Sequence, residues 1–142
     1  MVYGNGLYVA VGRTVWNSSG GLDATTIFSS PDGADWTRQD SGFHEALASV
    51  VYGSGQFVAV GSRFNTNGTI LSSTDGFTWT KRVSGTTNQL MQIVQGAGHF
   101  VILGANLRSA PQTPLFLTSS NATEWTPACR LIVRSISTAR TL

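Results

Sequence analysis

An eleven-residue block occurs three times in this chain. Val2-Tyr3-Gly4-Asn5-Gly6-Leu7-Tyr8-Val9-Ala10-Val11-Gly12 returns as Val51-Tyr52-Gly53-Ser54-Gly55-Gln56-Phe57-Val58-Ala59-Val60-Gly61. It returns more loosely as Val94-Gln95-Gly96-Ala97-Gly98-His99-Phe100-Val101-Ile102-Leu103-Gly104. Gly4, Gly53 and Gly96 stand 49 and then 43 residues apart. A second block follows each copy: Ile27-Phe28-Ser29-Ser30-Pro31-Asp32-Gly33-Ala34-Asp35-Trp36-Thr37, then Ile70-Leu71-Ser72-Ser73-Thr74-Asp75-Gly76-Phe77-Thr78-Trp79-Thr80, then Phe116-Leu117-Thr118-Ser119-Ser120-Asn121-Ala122-Thr123-Glu124-Trp125-Thr126. Repeats of this length build solenoids or propeller blades, and in either case the repeat is one supersecondary unit that buries its apolar face against the next.

Local chemistry chooses between the two. The runs are rich in β-branched and aromatic residues and bounded by glycine, and none shows a capped helical period. Gly-x-Gly before the first run and Asp-Gly before each Trp are hairpin signals. In the second repeat they predict strands near 47–52, 56–60, 69–73 and 78–83, a four-stranded antiparallel meander. The first run is apolar at consecutive positions instead of alternating, as expected of a sheet covered on both faces. The expectation is an all-β chain, a β-propeller with three blades of about 1–43, 44–86 and 87–128.

The Ser-x-Asp-Gly-x-x-Trp-Thr element resembles the Asp-box, or BNR, repeat of sialidase-like β-propellers. The Tyr-Gly-x-Gly-x-Phe-Val-Ala-Val-Gly run is similar to blades of bacterial surface and photosystem-assembly propellers, which would fit an extracellular or cell-surface parent. The resemblance covers about residues 2–126. The chain departs from it in two ways: one residue fewer separates Asp from the aromatic, and Asn121-Ala122 stand in place of Asp-Gly. In its own turn each Asp accepts backbone N–H groups and each Gly supplies a positive φ, while the Trp is expected to wedge between blades. In the family the box lies away from the active site. A sialidase would further need an arginine cluster with Tyr, whereas Tyr3, Tyr8 and Tyr52 all fall inside structural blocks.

Three blades raise the problem of closure, because propellers run from roughly four to eight. An open stack leaves two blade faces and a strand edge uncovered. A head-to-tail homodimer would close six blades. With Met1 so close to the first glycine turn, the first repeat is expected to lack its innermost strand. The segment Leu131–Ile136 within the tail 129–142 is the candidate to supply it, exchanged with a partner chain. The alternative is that these residues are unrelated trailing sequence.

Composition excludes several classes. Charged residues are only 11% of the chain, which argues against a coiled coil or a disordered tail, and the lone Cys129 excludes a disulfide framework. The net charge of +2 comes from Arg130, Arg134 and Arg140; the other 128 residues carry six basic and seven acidic groups. Nucleic acid is therefore not an expected partner. Apolar runs of four or five residues exclude a spanning helix, so no membrane partner is expected. The three N-x-S/T sequons, at Asn17, Asn67 and Asn121, are what chance produces in so Asn-, Ser- and Thr-rich a chain.

Function is expected on the connections from the second to the third strand and from the fourth strand to the next blade, which share one face. The distances Gly12 to Asp32, Gly61 to Asp75 and Gly104 to Asn121 are 20, 14 and 17 positions, so these connections vary most. Trp16 is the one Trp outside the repeat register. It either folds over its own loop or presents an aromatic platform to a sugar or another ring. Arg13, Asp23, Arg63, Asn65 and Arg108 lie on the same connections and would form a polar rim. His44 and Glu45 precede an inner strand, near the channel mouth. They are the candidate catalytic pair if the chain is an enzyme, with His44 the first candidate ligand for a divalent metal. His99, in the slot of Leu7 and Gln56, is expected to be an exposed strand-start residue. No nucleophile elbow or phosphate loop is present. Two functions follow: a binding or scaffold propeller for a glycan, a protein or a small molecule, or a weak hydrolase.

Overall fold

The computed structural model describes residues 1–12, 26–43, 46–62, 67–106 and 114–128. They form three four-stranded antiparallel meanders. The first is β1 (Val2–Gly4), β2 (Leu7–Gly12), β3 (Thr26–Ser30) and β4 (Thr37–Gln39). The second is β5 (Leu47–Gly53), β6 (Gln56–Ser62), β7 (Gly68–Ser73) and β8 (Thr80–Arg82). The third is β9 (Gln89–Gly96), β10 (His99–Ala105), β11 (Pro114–Ser119) and β12 (Thr126–Pro127). Consecutive sheets pack face to face, the innermost strands β1, β5 and β9 meeting in that order. No helix among the described residues is long and apolar enough to cross a membrane. The fold is a β-propeller with three blades per chain.

The first blade does have an innermost strand. Strand β1 pairs Val2 with Val9, Tyr3 with Tyr8 and Gly4 with Leu7, so the vacancy expected there is a shortening: three residues, against seven in β5 and eight in β9. The tail 129–142 lies outside the described residues, as does its predicted exchange.

The apolar run of β6 shows why its hydrophobic positions are consecutive. Phe57 and Ala59 face the first blade, in a cluster with Leu7, Val9, Ile27 and Leu47. Val58 and Val60 face the third, with Ile93, Phe100, Ile102 and Leu117. All four are fully buried. Successive strand residues point to opposite faces, so only a sheet covered on both sides can bury an unbroken run.

The tight turns repeat in detail. Asn5-Gly6, Ser54-Gly55 and Ala97-Gly98 have φ pairs of 51° and 74°, 49° and 77°, and 50° and 74°. Both central residues are left-handed, the signature of a type I′ hairpin turn whose twist matches the strands it joins.

In the box turns the carboxylate organises its own backbone. Asp32 Oδ1 accepts the N–H groups of Ala34 and Asp35 at 2.9 and 3.0 Å and the Ser30 hydroxyl at 3.0 Å. Asp75 Oδ1 accepts those of Phe77 and Thr78 at 2.8 and 2.7 Å and the Ser73 hydroxyl at 2.9 Å. Asn121 Oδ1 does the same for Thr123 and Glu124 at 2.9 and 3.0 Å, so the amide preserves the turn without the charge. Gly76 has a φ of 80°, and a Cβ there would lie 2.6 Å from Leu7 Cδ2 in the neighbouring blade. The corresponding Ala122 also has a left-handed φ, 57°. Facing its turn, Gln56 replaces Leu7 and its Nε2 donates to the Asn121 carbonyl at 2.9 Å.

The tryptophans divide by their neighbours. Trp79 is 6% exposed, packed on the first blade, and its Nε1 donates to the Gly76 carbonyl at 3.3 Å. Trp125 packs against the cluster between the second and third blades. Trp36 does not wedge: no described element covers it, and it is 37% exposed.

Candidate functional site

In every blade the first-to-second and third-to-fourth connections lie at one end, and the remaining connections at the other. The two ends differ in kind. The first carries the type I′ and box turns, whose polar groups are spent on their own backbone. Backbone N–H groups of Asp35 and Ala34, with the Ser30 hydroxyl, hold the Asp32 carboxyl below its ordinary value. The N–H groups of Thr78 and Phe77 bring Asp75 from 3.8 to about 2. Such carboxylates are structural acceptors at neutral pH, without the raised pKa of a general acid.

The other end is built for variation on a fixed frame. The second-to-third connections leave from the paired rungs Gly12 with Thr26, Ser62 with Gly68 and Ala105 with Pro114. From these equivalent anchors they run through residues 13–25, 63–67 and 106–113. The inner strands reach the same end through β-bulges. The register shifts between Leu47 and Ser49 in β5, and in the pairing of β9 at Leu103 and Gly104 of β10. Bulges concentrate beside binding and active sites, where they re-aim side chains. Here they leave Ala48 and Met91 exposed at the mouth of the innermost strands. They also explain two recurrent glycines: a Cβ on Gly61 would overlap the Ala46 carbonyl, and one on Gly104 would lie 2.6 Å from that of Gln89.

The chain enters the second and third blades through two matched corners. Gly42 and Gly85 have φ of 70° and 66°. The preceding Ser41 and Ser84 are both buried. Ser84 donates to the Gly68 carbonyl at 2.9 Å, tying the corner to the anchor rung of β7. Ser41 accepts the Phe43 N–H at 3.3 Å, and Asp40 Oδ1 accepts that of Gly42 at 2.9 Å. The Ser-Gly pair at 41–42 and 84–85 is a third repeated element, found by the same 43-residue spacing as Trp36 to Trp79.

The residues singled out from the sequence attach to this frame. Trp16, Arg13, Asp23, Arg63, Asn65, Arg108, His44 and Glu45 all lie outside the described residues, and the frame fixes only where their segments leave and return. His99 is exposed at the start of β10, as expected, with Nδ1 3.0 Å from the Ala97 carbonyl. Among the described residues no three His, Cys, Asp or Glu side chains cluster as a metal site would require. Of the seven acidic residues, Asp32, Asp35, Asp75 and Glu124 belong to the box turns. Asp23, Asp40 and Glu45 belong to the connections of the loop end.

Solved structures share this fold. The Bombyx mori GH32 β-fructofuranosidase superposes with a TM-score of 0.63 at 15% identity, over 92% of this chain and 33% of that one. A variant of the same enzyme in complex with sucrose gives 0.62 at 14% identity, over 89% and 32%. This chain thus spans about a third of the length of those enzymes. No protein-family model matches the chain, and no curated protein does.

Proposed function

We propose that this chain is a carbohydrate-binding propeller module whose ligand sits on the loop end. What supports this is the asymmetry between the ends: repeated turns whose Asp or Asn side chains serve their own backbone at one, and at the other a common frame carrying connections of three different lengths. Variable connections on a fixed scaffold are where binding specificity resides. Trp16 supplies the flat apolar surface a sugar ring needs. Arg13, Asp23, Arg63, Asn65 and Arg108, on the same set of connections, are the polar groups available to fix its orientation. The fold shared with a β-fructofuranosidase held with sucrose favours a saccharide over a peptide. The box turns resemble the Asp box, and their carboxylates serve their own backbone, which leaves ligand binding to the loop end.

The shared fold also supports a second function, glycoside hydrolysis. That chemistry needs two carboxyl groups facing each other across the bond to be cleaved. Asp23, Asp40 and Glu45 are the acids available, with His44 as base or metal ligand.

Calorimetric titration of the chain with sucrose and with fructo-, gluco- and galacto-oligosaccharides tests both. The expected result is binding of at least one sugar without turnover, weakened tenfold or more by Trp16→Ala. Release of reducing sugar that is abolished by Glu45→Gln or by a chelator would establish the hydrolase instead. Failure of every saccharide to bind would refute both.

A further inference from the structure

Each blade interface contains the same knob and socket. A Cβ on Gly4 of the first blade would overlap the ring of Tyr52 in the second, and a Cβ on Gly53 would overlap the side chain of Gln95 in the third. Tyr52 and Gln95 occupy one repeat position, whose first-blade member is Tyr3. Gly96 is the third member of the socket series, and no described atom lies within 4 Å of the Cβ it would carry. Among the described residues there is thus one socket without a knob, Gly96, and one knob without a socket, Tyr3, which is 58% exposed.

The surfaces around them extend the match. On the far face of the third blade, Val101, Leu103 and Phe116 are half-buried, whereas their second-blade equivalents Val58, Val60 and Ile70 are buried completely. On the near face of the first blade, Tyr3 and Tyr8 meet with ring centroids 4.5 Å apart and planes tilted by 48°, and Tyr8 meets Trp36 at 6.5 Å. Tyr8 and Trp36 are the counterparts of Phe57 and Trp79, both buried by the preceding blade. The two open faces are therefore the two halves of an interface this chain already makes twice.

We infer that a second copy of the chain occupies both faces, Tyr3 of each copy seating on Gly96 of the other. The contact is heterologous, and two copies turn it into a closed ring. Two sets of three blades fall within the range in which propellers close. The ring brings both loop ends around one channel, and it stands whether or not the ligand is a sugar.

Sedimentation and native mass spectrometry of the 142-residue chain test this. The expected species has twice the 15.1 kDa of one chain. Gly96→Leu puts a side chain into the socket at a position whose Cβ meets no described atom within 4 Å, and it is expected to weaken assembly about thirtyfold or more, the loss typical of a hot-spot contact. Tyr3→Glu, at an exposed position, is expected to do the same. Circular dichroism should show both variants folded. A single-chain species at micromolar concentration would overturn the inference, and so would a dimer indifferent to both substitutions. A ladder of masses growing with concentration would show an open stack, and would overturn the ring.

Discussion

Tyr8 and Phe57 hold the same position in two copies of one repeat, and so do Trp36 and Trp79. Phe57 and Trp79 are buried because the first blade lies over them; Tyr8 and Trp36 are partly exposed because no described element lies over theirs. The residues are near-equivalent in size and apolar character. The difference therefore lies in the neighbour and not in the residue. In a stack of this kind stability resides in the interfaces, each repeat depending on the one beside it.

Removing the equivalent ring from each blade should break that symmetry most visibly. Phe57→Ala is expected to cost about 3–5 kcal/mol, as for any fully buried aromatic, and Tyr8→Ala about 1 kcal/mol. Urea denaturation of both variants in the Gly96→Leu background compares them without help from a second copy.

The glycine sockets give a smaller contrast of the same kind. Gly53→Ala pushes a methyl group into Gln95 and is expected to cost about 1–3 kcal/mol by overpacking. Gly96→Ala meets no described atom, and thermal unfolding of the single chain should change by no more than about 0.5 kcal/mol.

The smallest expected effect separates the second and third box turns. Asp75 is held near 2, against an ordinary 3.8, by N–H bonds that exist only in the folded turn. A carboxyl depressed on folding lends stability above its unfolded pKa and loses it as the pH falls through the folded one. Stability should therefore decline between about pH 4 and pH 2, and Asp75→Asn should flatten that decline. Asn121, which does not titrate, should contribute nothing to it when replaced by Ser and followed over the same range.

Much of the fold was legible because it was written three times. Gly4, Gly53 and Gly96, with Trp36, Trp79 and Trp125, located the first and last turns of every blade, and the unbroken Phe57–Val60 run required a blade on each side. The features not legible in the sequence are those without a residue-type signal. A bulge is a register slip, and neither Ala48 nor Met91 differs in kind from a paired strand residue. The recurrent Gly61 and Gly104 were its only trace, visible as strand ends rather than as points where another backbone passes close. The Ser-Gly corners at 41 and 84 were detectable from their spacing, but they lack the aromatic neighbours that draw attention to the other blocks. Strand β1 is too short to carry a strand signal of its own, yet three residues suffice when β2 offers an edge to pair with.

The candidate site was legible only as a location. The topology fixes the end from which Trp16, Arg63 and Arg108 project their segments. Convergence of side chains across connections of different length is a tertiary property that no periodicity encodes.

The claim that neighbours and not residues decide burial is tested most directly by fluorine NMR of the chain labelled with 5-fluorotryptophan, resonances assigned by single Trp→Phe substitutions. In the Gly96→Leu chain the Trp36 resonance should shift when H2O is exchanged for D2O, and that of Trp79 should not. In the unsubstituted chain the Trp36 shift should shrink toward that of Trp79. Equal solvent shifts for the two indoles in the Gly96→Leu chain would contradict the account.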